Sequence, residues 1–252
     1  MRLEGKVAIV TAAAGAGIGQ ATARTLAKEG ANIVVNSRRA HERLTSTAEE
    51  IRSSFGVKAL AIQADVCNHE QVDSMIKQTL DEFGRIDILV NNAGTDRNVP
   101  IVDMTDEVWD LVLDTNLKGV FHCCRAVLPT MIKQKSGKIV NISSIAAWGP
   151  WVPDSAAYNA AKGGAVSFTY GIIREVAKYN INVNAVTPGL VPNPFLTKVA
   201  PEEELNIIRK ATPLPRDCAL EEVANAVVFL ASDEASYITG VALSVCGGYY
   251  MH

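Results

Sequence analysis

Tyr158 and Lys162 stand four residues apart in the run Tyr158-Asn159-Ala160-Ala161-Lys162. On a helix that spacing puts both side chains on one face, within reach of one small volume. A phenol titrates near 10 when unperturbed, and a cation within about 4–6 Å lowers that value by roughly 1–3 units. The pair therefore has the makings of an acid that exchanges its proton near neutral pH. Alone it is weak evidence, because six tyrosines and twelve lysines in 252 residues give roughly 0.3 chance pairs at this spacing. A solvated lysine one turn from an aromatic would read the same. The surrounding text raises the odds: Val140-Asn141-Ile142-Ser143-Ser144 lies fourteen residues upstream of the tyrosine, and Asn91-Asn92-Ala93-Gly94 lies before that.

Alternating strands and helices must hold this pair in place. Residues 6–11 contain Val-Ala-Ile-Val, a β-branched run too short for a helix and apolar on both faces, as a central parallel strand is. Gly15-Ala16-Gly17-Ile18-Gly19 follows at once and leads into strong helix formers from Gln20 onward. In this context the glycines let backbone approach a pyrophosphate, and the helix amino terminus offers free N–H groups and a favourable dipole. A tight structural connection would use the same glycines. Further strands are predicted at residues 32–36, 57–63, 86–90, 137–142, 182–187 and 242–245. Helices are predicted at 41–55, 71–83, 155–179 and 220–231, with helical material across 105–134. This alternation predicts the α/β class: a single Rossmann-type doubly wound parallel sheet of about seven strands, helices on both faces, in one domain over residues 1–252.

The Tyr158/Lys162 pair, Ser143-Ser144 after the fifth strand, Asn91-Asn92-Ala93-Gly94 after the fourth and the glycine turn after the first together resemble the short-chain dehydrogenase/reductase family, from Lys6 to Gly248. The resemblance implies an oxidoreductase that moves a hydride between a nicotinamide and a carbonyl carbon while Tyr158 supplies or removes the proton on oxygen. It implies that Ser144 orients that oxygen and that Lys162 holds the cofactor ribose and lowers the tyrosine pKa. Asn116, by residue type a buried structural bridge, is on this pattern the residue that holds a water linking Lys162 to solvent. Cofactor contacts then fall to Gly15, Gly17, Ile18 and Gly19, to Asp65 and Val66 beside the adenine, to Asn92, Ala93 and Gly94, to Tyr158 and Lys162, and to Pro188, Gly189 and Val191. Asp65 is equally placed to cap the helix that begins near Asn68. Family members pair subunits through the helix carrying the tyrosine and the one before it, which implies a homodimer or homotetramer.

Four places depart from the family pattern, one of them the loop over residues 145–154, which is one residue longer than expected. Thr-Gly-x-x-x-Gly-x-Gly becomes Thr11-Ala12-Ala13-Ala14-Gly15-Ala16-Gly17-Ile18-Gly19, with alanine for the first glycine and one extra residue before Gly17. Asn193, between Pro192 and Pro194, stands where a threonine usually bonds the nicotinamide amide. Cys246 precedes Gly247-Gly248 where an aspartate or asparagine is common.

The end of the second strand chooses the cofactor. Readers of NAD place an acidic side chain there for the ribose 2′-hydroxyl. This chain has Ser37, then Arg38 and Arg39, whose guanidinium forks suit a 2′-phosphate. NADP(H) is the expectation, over NAD(H); arginines that only solvate the start of a helix are the bland alternative.

With 48% hydrophobic and 20% charged residues and a net charge of −3, the composition is that of a soluble globular protein with a substantial core. No basic run exceeds Arg38-Arg39, which argues against a nucleic-acid partner. Short, interrupted apolar runs and the absence of a cleavable leader predict no membrane partner and a cytoplasmic location. Five cysteines, odd in number and without C-x-x-C spacing, read as reduced thiols. No metal is expected, since the tyrosine–lysine pair replaces a Lewis acid. Trp148 and Trp151 would either wall a substrate pocket or pack against the body. The proline-interrupted polar stretch within residues 190–215 is the expected substrate lid. The chain thus reads as a reductase or dehydrogenase of a small-molecule ketone or secondary alcohol. One alternative is a 3-oxoacyl-[acyl-carrier-protein] reductase, a branch that residues 93–98 and 231–240 resemble and for which Lys135 and Arg174 would offer a basic surface. From another class, the alternative is a non-catalytic dinucleotide sensor or scaffold on the same fold.

Overall fold

Alternate residues of the first strand, β1 (Val7–Val10), enter different cores: Ala8 and Val10 join one, Ile9 the other, and all are buried. That is the demand a parallel strand covered on both faces makes, and it explains the unbroken apolar run. The computed structural model describes residues 1–39, 42–149, 152–194 and 196–251.

After β1 come α1 (Ile18–Lys28), β2 (Asn32–Ser37), α2 (Glu42–Phe55), β3 (Ala59–Gln63), α3 (His69–Phe83) and β4 (Ile88–Asn91). Then follow α4 (Asp106–Leu113), α5 (Gly119–Gln134), β5 (Gly137–Ile142), α6 (Ala156–Val176) and β6 (Ile181–Pro188). The chain finishes with α7 (Leu196–Val199), α8 (Glu202–Ala211), α9 (Leu220–Ala231) and β7 (Ala242–Val245). The seven strands form one parallel sheet in the order β3-β2-β1-β4-β5-β6-β7. The expected doubly wound α/β sheet is therefore present. The order reverses between β1 and β4, and the crevice at such a reversal is where ligands bind in open parallel sheets. One face packs Leu26 of α1 and Val223, Val227 and Val228 of α9; the other packs Met75 of α3 and Val127 and Met131 of α5.

A buried polar ladder sets the relative height of β4, β5 and α6. Asn91 Nδ2 donates to Asn141 Oδ1 at 2.8 Å, and Asn141 Nδ2 donates to Thr169 Oγ1 at 2.9 Å. Inside a dry core each of these groups is costly unless paired, so sliding one element past another would strand them.

Several local expectations change. The helical stretch 105–134 breaks into α4 and α5 around a π-helical turn, Asp114–Lys118, of the kind that recurs at functional sites. The α3 helix begins at His69, near Asn68 as expected and two residues before the predicted range 71–83, and its cap is Asn68, whose side chain accepts from Gln71 N. Asp65 is not the cap: its Oδ1 accepts from Cys67 N at 2.9 Å. The proline-interrupted polar stretch expected to be a lid contains two helices, and α8 buries Leu205 and Ile208. Among the predicted features, His41 at the start of the second helix, Trp151 of the loop after β5 and Phe195 of the lid lie outside the described residues. No described helix is long and apolar enough to cross a membrane.

Candidate active site

Ser144, Tyr158 and Lys162 meet on one cavity of about 430 Å³, which runs on past Gly94 to Gly15 and Gly17. Strand β5 delivers Ser144, whose backbone is extended and whose Oγ accepts from Ala146 N at 3.1 Å, capping a 3-10 turn. Helix α6 delivers the other two. Its position against β5 is pinned twice, since Ser143 Oγ donates to Lys162 O at 2.8 Å and Lys162 Nζ donates to Ile142 O at 2.9 Å. The loop between them is strapped by Asn159, which donates to Gly149 O and accepts from Ser155 Oγ. Trp148 stacks on Tyr250, with ring centroids 5.8 Å apart and planes 9° from parallel.

Behind this trio sits Asn116, in the π-helical turn and 1% exposed. Its Nδ2 donates to Thr95 O at 2.6 Å and Val112 O at 2.8 Å, while its Oδ1 has no partner among the described residues. A side chain on Gly94 would meet Asn116 Oδ1 at 2.8 Å and Lys162 Nζ at 3.6 Å. The absence of that side chain leaves the asparagine oxygen and the lysine ammonium facing one shared space.

Electrostatics differ from the expectation in one respect. The Tyr158 phenol is raised above its ordinary value, by burial first and then by the charge of Asp96; the hydrogen bond from Ser144 works the other way. Burial likewise takes Lys162 down to about 8, against the pull of Asp96. The ammonium sits 5.5 Å from the Tyr158 ring centroid and points its bond at Ile142 O, so desolvation outweighs its help to the phenolate. With its surroundings as described, the tyrosine holds its proton at neutral pH.

The crevice on the β1 side is built from backbone. Ala12 takes the left-handed φ of 51° that the missing glycine would have adopted freely. The extra residue is absorbed by a tight turn in which Gly17 N donates to Gly15 O at 2.8 Å. Gly15 and Gly17 have open space where a side chain would stand. A side chain on Gly19 would instead strike Asn92 Nδ2, and Ile18 lines the cavity beside it. Helix α1 starts with neither a side-chain cap nor an acidic residue, leaving its first N–H groups and positive dipole end toward the cavity. Thr11 ties the two strand ends together, its Oγ1 accepting from Asn92 N at 2.8 Å and Ala93 N at 2.9 Å.

A second cavity of about 290 Å³ shares Ala12 and Gly94 with the first and is lined by Arg38, Asp65, Val66 and Ala93. Ser37 ends β2 and Arg39 is exposed, but neither lines either cavity. Pro188, Gly189 and Val191 close the far wall of the first cavity. Asn193 lines it too, yet its amide is engaged locally, donating to Val191 O at 2.6 Å and accepting from Leu196 N at 3.2 Å. Among the lining residues that escaped the sequence reading are Arg43 and Asp96 in the first cavity and Asn36 and Arg97 in the second. For Asp96 a signal existed, an acidic residue just past the carboxyl end of a central strand.

A family model described as enoyl-(acyl carrier protein) reductase matches residues 12–250. The chain is 42% identical over 246 residues to the 3-oxoacyl-[acyl-carrier-protein] reductase FabG of Staphylococcus aureus, covering 98% of both. It is 44% identical over 250 residues to the 3-oxoacyl-[acyl-carrier-protein] reductase of a Synechocystis species, covering 99% of this chain and 98% of that one. Among solved structures it superposes on a putative short-chain alcohol dehydrogenase from Sinorhizobium meliloti with a TM-score of 0.91 at 35% identity, over 98% of this chain and 97% of that one. Levodione reductase gives the same score at 31% identity, over 98% of both chains. Fold, crevice and relatives agree: the chain belongs to the short-chain dehydrogenase/reductase family, oxidoreductases acting on a carbonyl or CH–OH group.

Proposed function

We propose that this chain, as a single domain over residues 1–252, interconverts a free ketone and a secondary alcohol with NADP(H), with Tyr158 as its acid and base. The observation carrying this reading is the convergence of Ser144, Tyr158 and Lys162 on one cavity that continues to an uncapped helix N-terminus. A nicotinamide dinucleotide suits the residues present. The open glycines and the first turn of α1 would take the pyrophosphate, Asp65 and Val66 the adenine side, and Arg38 a 2′-phosphate that an acidic residue would repel. When bound, the nicotinamide supplies or accepts the hydride.

The protein's own part is the proton. Ser144 Oγ donates a hydrogen bond to the substrate oxygen, and Tyr158 gives that oxygen its proton as the hydride arrives at carbon. Burial makes the resulting phenolate costly, which drives its reprotonation. Lys162, poised near 8, is the nearby donor, and the space between its Nζ and the unpartnered Asn116 Oδ1 suits a water that reloads it. A phenol that keeps its proton at rest favours the reductive direction.

Other parts of the reading rest on surface features. Trp109, Phe121 and Tyr170, on α4, α5 and α6, are 38%, 40% and 44% exposed, which supports a homodimer or homotetramer through these helices. Residues 190–215, with α7 and α8, act as the substrate lid, and the enzyme is cytoplasmic. Titration with NADPH and NADH, read by nicotinamide fluorescence beside Arg38→Asp, tests the cofactor. NADPH binding lost in the variant supports the reading, and NADH binding indifferent to Arg38 refutes it.

A second reading, reduction of a 3-oxoacyl group on a carrier protein, is favoured by the names of the relatives. Exposed Lys135 and Arg174 would then meet the acidic carrier. Selective loss of carrier-bound turnover in Lys135→Glu plus Arg174→Glu would establish it. The carboxylate of Asp96 in the cavity wall argues against a donor-free acyl chain there.

A further inference from the structure

Asp96 is 1% exposed, yet it lines the same cavity as Ser144, Tyr158 and Lys162. Its backbone lies between two parts of the site. Thr95 O accepts from Asn116 Nδ2 on one side, and Arg97 lines the second cavity on the other. Asp96 Oδ1 accepts from Arg97 N at 2.7 Å. Among the described residues no cation lies within ion-pair distance of the carboxylate, and the Arg97 guanidinium donates to the backbone oxygen of Asp96 at 2.7 Å. An ionised carboxylate has about four acceptor positions, and one backbone N–H leaves most of them facing the cavity. A buried charge so poorly matched is expensive unless an incoming group repays the desolvation.

We propose that Asp96 is a specificity residue, selecting carbonyl substrates that carry a hydroxyl or ammonium beside the reacting carbon and rejecting those that carry a carboxylate there. This rests on the reading that the chain reduces a free carbonyl. A donor on the substrate would satisfy the open carboxylate oxygen while the reacting oxygen faces Ser144 and Tyr158. A donor-free substrate would leave the carboxylate desolvated and unpaired, and an anionic one would add repulsion. The carboxyl is pushed up only to about 6 by burial, held there by the Arg97 N–H and by the charges of Lys162 and Arg97, so at neutral pH it is largely ionised.

Butanone, hydroxyacetone and aminoacetone are near-isosteric ketones, and pyruvate puts a carboxylate in the same place. With the nicotinamide that the protein binds, kcat/KM for aminoacetone and hydroxyacetone should exceed that for butanone by about tenfold or more, and pyruvate should fall below butanone by a similar factor. Asp96→Asn keeps the acceptor for Arg97 N but removes the charge; it should bring aminoacetone, butanone and pyruvate within about threefold of one another. Equal kcat/KM values for the four in the wild type, or a spread that persists in Asp96→Asn, would overturn the proposal. If that variant lost nicotinamide binding, Asp96→Thr would replace it, and the wild-type ranking alone still decides against the idea if it is flat. If the loaded wild type reduces none of the four, the free-carbonyl reading fails separately. The four compounds are then ranked by their effect on bound-nicotinamide fluorescence, where the same order supports the role of Asp96 and no order removes it.

Discussion

The two halves of the crevice are built from different materials. On the β5/α6 side the working groups are side chains, each held by a named partner: Ser144 by Ala146 N, Lys162 by Ile142 O, Asn116 by Thr95 O and Val112 O. On the β1 side the working groups are backbone N–H groups and empty volume, and side chains such as Thr11 and Asn92 serve to tie strand ends together. The comparison explains how the glycine turn can depart from the family pattern. An alanine and an extra residue are absorbed on the backbone side, at the cost of one left-handed residue and a tight turn. No such slack exists where a particular oxygen or nitrogen must sit at a particular point.

The largest test of the contrast is Tyr158→Phe, which removes one oxygen and leaves the packing. Turnover should fall by about 10³-fold while nicotinamide binding changes little, as stopped assays and fluorescence titration would show. Comparable losses in both would mean that the two halves are not separable.

Next is Gly94→Ala, at the seam between the halves. Its methyl would press on Asn116 Oδ1 at 2.8 Å and stand 3.6 Å from Lys162 Nζ. Filling that space and pressing on the buried, hydrogen-bonded Asn116 should lower kcat by about tenfold or more and cost about 1–3 kcal/mol of stability. Unchanged kcat would remove Asn116 from the proton path.

A thermodynamic test isolates the charge on the side-chain half. Asp96 is raised from its ordinary value to about 6 in the folded state, so the fold holds that proton more tightly than the unfolded chain does. The associated stability is complete below the unfolded pKa of about 4 and is lost as pH rises through the folded one. Relative to Asp96→Asn, the wild type should lose on the order of 2–3 kcal/mol between about pH 4 and pH 7, measurable by urea unfolding across that range. A flat difference would mean that the carboxyl is solvated.

The smallest effect belongs to the backbone half. Ala12→Gly relieves a left-handed alanine, and the urea midpoint should rise by the equivalent of ~1 kcal/mol with kcat unchanged. A loss of nicotinamide binding would show that the Ala12 methyl itself matters to the turn.

Much of this was legible beforehand for identifiable reasons. The fifth strand, the helix at 220–231 and the last strand were read to the residue, because short β-branched runs and apolar helical spacing leave few other solutions. Tyr158 and Lys162 share a face because four residues make about one helical turn. The lid helices were obscured by prolines flanking short segments, and α8 is stable only because Leu205 and Ile208 find a cluster with Val152 and Leu190. Asp65, placed by sequence either beside the adenine or as the α3 cap, lies three residues before the actual cap, Asn68, a distinction that only local backbone geometry settles.

By itself, the sequence determined the sheet, the reversal crevice and the side chains that reach its carboxyl edge, since these follow from periodicity and from spacing along one helix or strand. Tertiary structure alone decided the charge balance of the site. Burial depends on what the whole chain stacks above a group, and it reversed the expected shift of Tyr158. Tertiary structure also brought Asp96, sixty-two residues before the tyrosine in the chain, into the same cavity as Tyr158 and Lys162. No spacing rule links the loop after β4 to α6; only the parallel order of strands and the buried ladder through Asn91, Asn141 and Thr169 hold them at one height.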